Sequence, residues 1–258
     1  MSAFIQHTSV LRTGVSMIRR LAFAGVAAII SVMGQANAAV VLTDDFSYPD
    51  GALVGNGGWT DQGGTPGTLL VSGGAVAISQ DSGSQDAEVV FASDLTSGII
   101  TATFDISVAD PGSGISGTGS QYFAHFSDDS AFNFRARTYV VAPVSTGDYS
   151  LGISTGSGGV ENLLSVDFAF DEVVPVTLGF NLDTGVASLM AGGSSIVGAA
   201  PDLGETLDTF NLRQSNSSFD ETIVFDNLVI DVTVIPEPSS LAILALGVSG
   251  LACRRRER

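Results

Sequence analysis

Along most of this chain, apolar side chains recur at every second position, in short runs bounded by Gly, Ser, Asp and Asn. A period of two is that of a strand with one face turned to a core, and helical periodicity is missing from the central part. Thr101 to Val108 is the clearest case: Ala102, Phe104, Ile106 and Val108 share one face, and Thr101, Thr103, Asp105 and Ser107 the other. Leu69–Ser72 and Ala75–Ser79 read as a hairpin across Gly73-Gly74, a pair that accepts positive φ. Val40–Thr43, Glu88–Phe91, Tyr149–Ser154, Val174–Leu182 and Val186–Met190 continue the pattern, with Asp183-Thr184-Gly185 as a tight turn. Gln121–Ser127 and Phe132–Val141 form a second hairpin, in which Phe132, Phe134, Ala136 and Val140 face inward and Asn133, Arg135 and Arg137 outward. Thr222 to Val234 is a long closing strand. Strict alternation there sets Asp226 among Val224, Leu228 and Ile230, where a buried carboxylate needs partners. A bulge, backbone amides or a cation would each resolve this, and backbone hydrogen bonding is the expectation. About a dozen antiparallel strands without helices predict an all-β fold of two packed sheets.

The two ends break the pattern. Arg19 and Arg20 precede an apolar run, Leu21 to Met33, and Ala36-Asn37-Ala38 follows with small residues at Ala36 and Ala38. That order is a signal peptide over 1–38, cut after Ala38. At the other end Pro236-Glu237-Pro238 stops any regular element, because two residues lack a backbone N–H and fix φ. Leu241 to Cys253 is then an uncharged run of 13 residues. As a helix it rises about 20 Å, short of a bilayer core of about 30 Å. Arg254, Arg255, Arg256 and Arg258 close the chain; such side chains snorkel and prefer the cytoplasmic side. Both ends therefore place their arginines inside and pass the segment 39–235 outward.

Charge sharpens this. The chain carries a formal net charge of −17, with ten Arg and no Lys. Between Ala39 and Ile235 only Arg135, Arg137 and Arg213 oppose 25 acids (the chain's 27 less Glu237 and Glu257), a net of −22. That balance argues against nucleic acid and anionic lipid as partners of the domain. The single cysteine, Cys253, leaves the domain without disulfides or cysteine metal sites.

Pro236-Glu237-Pro238, the apolar Leu241–Cys253 segment and the arginine tail, in that order, resemble the PEP-CTERM sorting signal of exported bacterial proteins. The resemblance covers residues 236–258. It implies processing by a membrane exosortase near the Pro-Glu-Pro element, anchoring in the inner membrane by the C-terminal helix beforehand, and a final place at the cell surface or in an extracellular polysaccharide or biofilm matrix. Within 39–235, Thr43-Asp44-Asp45-Phe46-Ser47-Tyr48 with Gly51, Asn56-Gly57-Gly58 and Trp59 resembles the opening of concanavalin-like, laminin-G-like jelly rolls. Thr177 to Gly185 and Phe225 to Ile230 resemble their later hairpin and closing strand. This implies an antiparallel two-sheet jelly-roll sandwich whose first and last strands lie close together. That fold hosts sugar binders, glycosidases and structural modules alike.

No catalytic constellation stands out. Glycosidases need two carboxylates across a bond, and the Glu-x-Asp-x-x-Glu string of concanavalin-like glycosidases is absent. His125 has no Ser or Cys motif beside it. Calcium, which takes several oxygens from loops, has Asp44, Asp45, Asp128, Asp129 and Asp226 as candidate ligands. Trp59, Tyr122 and Tyr139 are candidates to stack on sugar rings, Trp59 being more often a core or turn anchor. Arg135 and Arg137 either clamp an acidic sugar or pair with nearby acids. The expectation is a non-enzymatic structural or carbohydrate-binding module with no cofactor beyond that candidate calcium; the alternative is a glycan-active hydrolase or lyase on the same fold.

Overall fold

The computed structural model describes residues 37–81, 83–116, 121–128, 133–156, 158–199 and 201–234. The expected signal peptide up to Ala36, the Pro236-Glu237-Pro238 element, the C-terminal apolar helix and the arginine cluster lie outside the described residues, as does Asp129. Among the described residues no helix is long and apolar enough to cross a membrane.

Sixteen strands make up the body: β1 (Asn37–Asp44), β2 (Gly51–Ala52), β3 (Trp59–Gly63), β4 (Leu70–Ser72), β5 (Ala75–Ser79), β6 (Asp86–Leu95), β7 (Ile99–Val108), β8 (Tyr122–Ser127), β9 (Arg135–Val141), β10 (Ser150–Ser154), β11 (Asn162–Leu163), β12 (Val174–Asn181), β13 (Val186–Ala191), β14 (Ser194–Val197), β15 (Leu207–Arg213) and β16 (Thr222–Val234). They form two sheets. One has nine strands in the order β14-β13-β12-β7-β16-β5-β4-β2, with β1 also on β16. The other has seven, in the order β11-β10-β9-β8-β15-β6-β3. Every pairing is antiparallel. The first and last strands lie side by side, Asn37 opposite Val234 and Thr43 opposite Val229. Ala38 sits within β1 opposite Thr233, so cutting after it leaves the strand from Ala39 onward in place.

The alternation in β7 is realised in full: Ala102, Phe104, Ile106 and Val108 are buried, and their neighbours face outward. Phe104 is the hub between the sheets. It stacks on Phe225 of β16 at 4.6 Å and meets Phe123 of β8 edge-on at 6.5 Å. Each such ring buried contributes about 1.5–3 kcal/mol. The Gly73-Gly74 turn forms as expected, both residues at positive φ (62° and 86°) between β4 and β5.

Among the register shifts of the described strands, two bear on the expected faces, each through an extra residue. In β16 the register shifts between Asp226 and Val229, with Asn227 at φ 57°. Ile223 and Phe225 point inward before the shift, Leu228 and Ile230 after it. Val224 is therefore outside, and Asp226 turns outward with it and accepts the Asn227 N–H at 2.7 Å. Of the three ways to satisfy that carboxylate, the chain uses the bulge together with a backbone amide. In β9 the register shifts opposite Ala124–Phe126, and Ala136 takes φ 52°. A bulge of this kind re-aims the side chains on either side. Phe134 consequently packs on the outer face with Tyr122 and Tyr139, not in the core, and Arg135 is buried, not solvated. Both corrections have the same cause: period two predicts faces only while the ladder stays in step.

Candidate functional site

The outward faces of the two sheets differ in chemistry. The nine-stranded sheet shows Thr101, Thr103, Asp105 and Ser107 from β7 and Val224 and Asp226 from β16. The seven-stranded sheet gathers all three arginines of the described residues, together with His125, Tyr122 and Tyr139.

Its centre is a ladder of polar side chains from neighbouring strands, Ser127 opposite Thr209 and His125 opposite Asn211. The Ser127 and Thr209 hydroxyls lie 2.7 Å apart, and Asn211 Nδ2 donates to both, at 2.9 and 3.0 Å. Asn211 Oδ1 and both ring nitrogens of His125 have no hydrogen-bond partner. His125 is packed edge-on against Phe134 (4.5 Å) and Tyr122 (5.3 Å). Burial drives its pKa well below the usual histidine range, and the nearby Arg137 and Arg213 charges push it further down. The imidazole is therefore neutral.

Tyr122 holds two cations. The Arg137 guanidinium carbon lies 4.6 Å from the ring centroid and that of Arg213 4.2 Å. Arg137 also approaches Phe134 at 5.2 Å and donates from Nη1 to the Gly158 carbonyl at 3.2 Å. Tyr139 donates to the same carbonyl at 3.1 Å and lies 3.2 Å from the Ser154 hydroxyl. Arg213 Nε faces Asp86 Oδ1 at 3.3 Å, but that oxygen receives no hydrogen bond. Burial lifts the Asp86 pKa to about 6; the Arg213 charge opposes the rise without cancelling it, and Asp61 adds to it. Arg135 is engaged through both terminal nitrogens, its Nε being buried without a partner among the described residues. It meets Asp202 at 3.0 Å and is ion-paired with Glu205, and it donates to the Phe134 carbonyl and to Asn133 Oδ1.

Of the sugar-stacking candidates, Tyr122 and Tyr139 meet edge-on at 5.9 Å with Arg137 over Tyr122, while Trp59 lies apart. Trp59 is 1% exposed, packs on Phe46 and donates from Nε1 to Asp44 Oδ2 at 2.7 Å, so it is a core anchor out of reach of a ligand. Tyr139 is buried with its hydroxyl engaged, and Arg135 is spent on two acids. Only Arg137 keeps an open side. Of the calcium candidates, Asp44, Asp45 and Asp226 lie near one another: burial raises the Asp226 pKa most, and the charges of Asp105, Asp45 and Asp44 add to the rise. Asp44 accepts from the Phe46 N–H, the Tyr48 hydroxyl and Trp59, leaving little for a cation. Asp45 caps Ser47. Asp226 stands opposite Asp105. Asp128 has partners of its own. Among the described residues no group of three or more His, Cys, Asp or Glu is arranged to hold a metal ion.

The residues missed from the sequence were Asp86, Thr209 and Asn211. Strand β15 carries two of them; its signal was there, Phe210 and Leu212 alternating with Thr209, Asn211 and Arg213.

An all-β sandwich of two antiparallel sheets with a polar, aromatic and arginine-bearing outer face defines the class: a jelly roll. Comparison with known proteins agrees. Residues 234–256 match the PEP-CTERM protein-sorting motif. The chain thus carries the signal of an exported protein, handled by an exosortase and anchored in the membrane before processing. No curated protein sequence matches the chain. Among solved structures it resembles a sialidase with a TM-score of 0.51 at 14% identity, over 77% of this chain and 19% of that one. It spans about a fifth of that sialidase's length, and the likeness is one of fold. Lectin II from Ulex europaeus aligns over 77% of this chain and 98% of its own, with a TM-score of 0.48 at 14% identity. Peanut lectin with a 9-mer peptide aligns over 77% and 99%, with a TM-score of 0.48 at 12% identity.

Proposed function

We propose that the sandwich is a non-enzymatic carbohydrate-binding module of the cell surface or extracellular matrix, carried out by the sorting signal, and that its ligand face is the outer side of the seven-stranded sheet. The single observation that carries this is the convergence of Arg137 and Arg213 on Tyr122, beside His125, in a body that is otherwise acidic. The acids there serve the arginines: Asp202 and Glu205 hold Arg135, and Asp86 faces Arg213. A neutral, enclosed imidazole is a poor proton shuttle for bulk substrate. The reading needs no cofactor.

A second reading, a glycan-active enzyme, has one observation in its favour: Asp86, with its raised pKa, lies two residues from Glu88 on the outward side of β6. A polysaccharide array of the mature protein, run beside a screen for released reducing or unsaturated sugar ends, separates the two. Retention without product is expected. Product formation that disappears in Asp86→Asn or Glu88→Gln would replace the binding module by the enzyme.

A further inference from the structure

Arg137 is the one cation of this face without a counter-charge. Arg135 is neutralised by two carboxylates, and Arg213 faces Asp86. Arg137 has no carboxylate within ion-pair distance among the described residues; its contacts are two aromatic rings and one carbonyl. It is also pressed towards a like charge. Both guanidiniums rest on the Tyr122 ring, at 4.6 and 4.2 Å from its centroid, so they lie within one Debye length of each other, about 10 Å at 0.1 M salt. Asp86 offsets that repulsion incompletely, since burial holds its carboxyl partly protonated near pH 6. His125 adds no charge. The result is a local positive spot on a domain of net −22, and two crowded cations on one ring are relieved by an anion.

The shape of the spot narrows the anion. Arg137 is half-buried, with its plane backed by Tyr122 and Phe134 and one nitrogen tied to the Gly158 carbonyl. Its Nε is buried without a hydrogen-bond partner among the described residues, so the guanidinium presents only its outer Nη1–Nη2 edge, a planar fork that matches a carboxylate in the same plane. We propose that the ligand of this face is an acidic polysaccharide, with the carboxylate of a uronic acid residue docking on the open side of Arg137. This rests on the carbohydrate-binding reading above and adds the substrate class. The acidity of the rest of the domain does not forbid it: at about 0.15 M salt the Debye length is about 8 Å, so charges elsewhere on the surface are screened while the direct contact is not.

The test uses the mature protein at 0.15 M salt in EDTA, with alginate and polygalacturonate as probes. Their carboxyl-reduced derivatives, in which each carboxylate becomes a hydroxymethyl group, and dextran sulfate are the comparators. Binding to at least one polyuronate is expected, about tenfold or more weaker to its reduced form and to dextran sulfate, and about tenfold or more weaker for Arg137→Gln at an unchanged melting temperature. Should Arg137→Gln not fold, Arg137→Lys keeps the charge without the fork and is expected to lose about threefold or more; wild-type affinity in folded Arg137→Lys overturns the clamp. Equal binding to native and reduced polymers, or equal binding to dextran sulfate, overturns the uronate assignment and leaves carbohydrate binding standing. Failure to bind any polysaccharide, neutral ones included, overturns the underlying reading as well.

Discussion

Asp86 shows how burial and charge compete at a single residue. Its ion pair with Arg213 is long and makes no hydrogen bond, so desolvation prevails and the carboxyl titrates near 6, above its unfolded value of 3.8. An acid whose native pKa is raised holds its proton more tightly when folded. Stability from this group is full below about pH 4 and is lost as pH rises towards 6. The span corresponds to about 3 kcal/mol at most. Asp86→Asn is therefore expected to raise the melting temperature at pH 7 and to flatten its decline between pH 4 and 6; an unchanged slope in thermal melts would refute this. Arg135 and Arg137 illustrate the same competition with opposite outcomes. They are two residues apart, yet one is enclosed by two acids and the other lies open on a ring.

The decisive element is β9. Its bulge at Ala136 turns Arg135 onto its acids and sets Phe134 and Arg137 around Tyr122. Ala136 pays for this with a left-handed backbone, φ 52°, which is unfavourable by about 1–2 kcal/mol for a residue with a Cβ and worse when the side chain is β-branched. Ala136→Gly should be neutral or slightly stabilising. Ala136→Val should cost about 2 kcal/mol or more, with loss of the Arg137–Tyr122 contact, measured by denaturant melts and by tyrosine fluorescence. Equal stability of the two variants would show that the bulge is not under this constraint. Strand β16 uses the same device at Asn227. Alternation in the sequence announces both strands; neither bulge is visible there, because an extra residue leaves the composition of the strand unchanged.

At the scale of the whole molecule, β1 and β16 bring the exported body's two ends together, Asn37 opposite Val234. The sorting motif begins at residue 234, where β16 ends, so the domain and its signal meet without a spacer. Processing near Pro236-Glu237-Pro238 would leave every strand complete. Intact mass of surface-extracted protein is expected to start at Ala39 and to lack Arg254 to Arg258; a retained arginine tail would count against removal of the C-terminal segment.

By itself, the sequence determined the sorting signal, the all-β class and most strands, since these depend on local order: Pro-Glu-Pro, an apolar run and arginines in succession at the C-terminal end, and period two before it. It also revealed how few cations the domain has. Only the tertiary structure decided where those cations lie. Arg135, Arg137 and Arg213 come from β9 and β15, which sit on either side of β8 in one sheet. The convergence of Arg137 and Arg213 on Tyr122, the diversion of Arg135 onto its acids, and the burial of Trp59 and Tyr139 that removes them as ligand contacts follow from strand order and register. Those are set by long-range pairing and by bulges such as those in β9 and β16, and neither leaves a local trace.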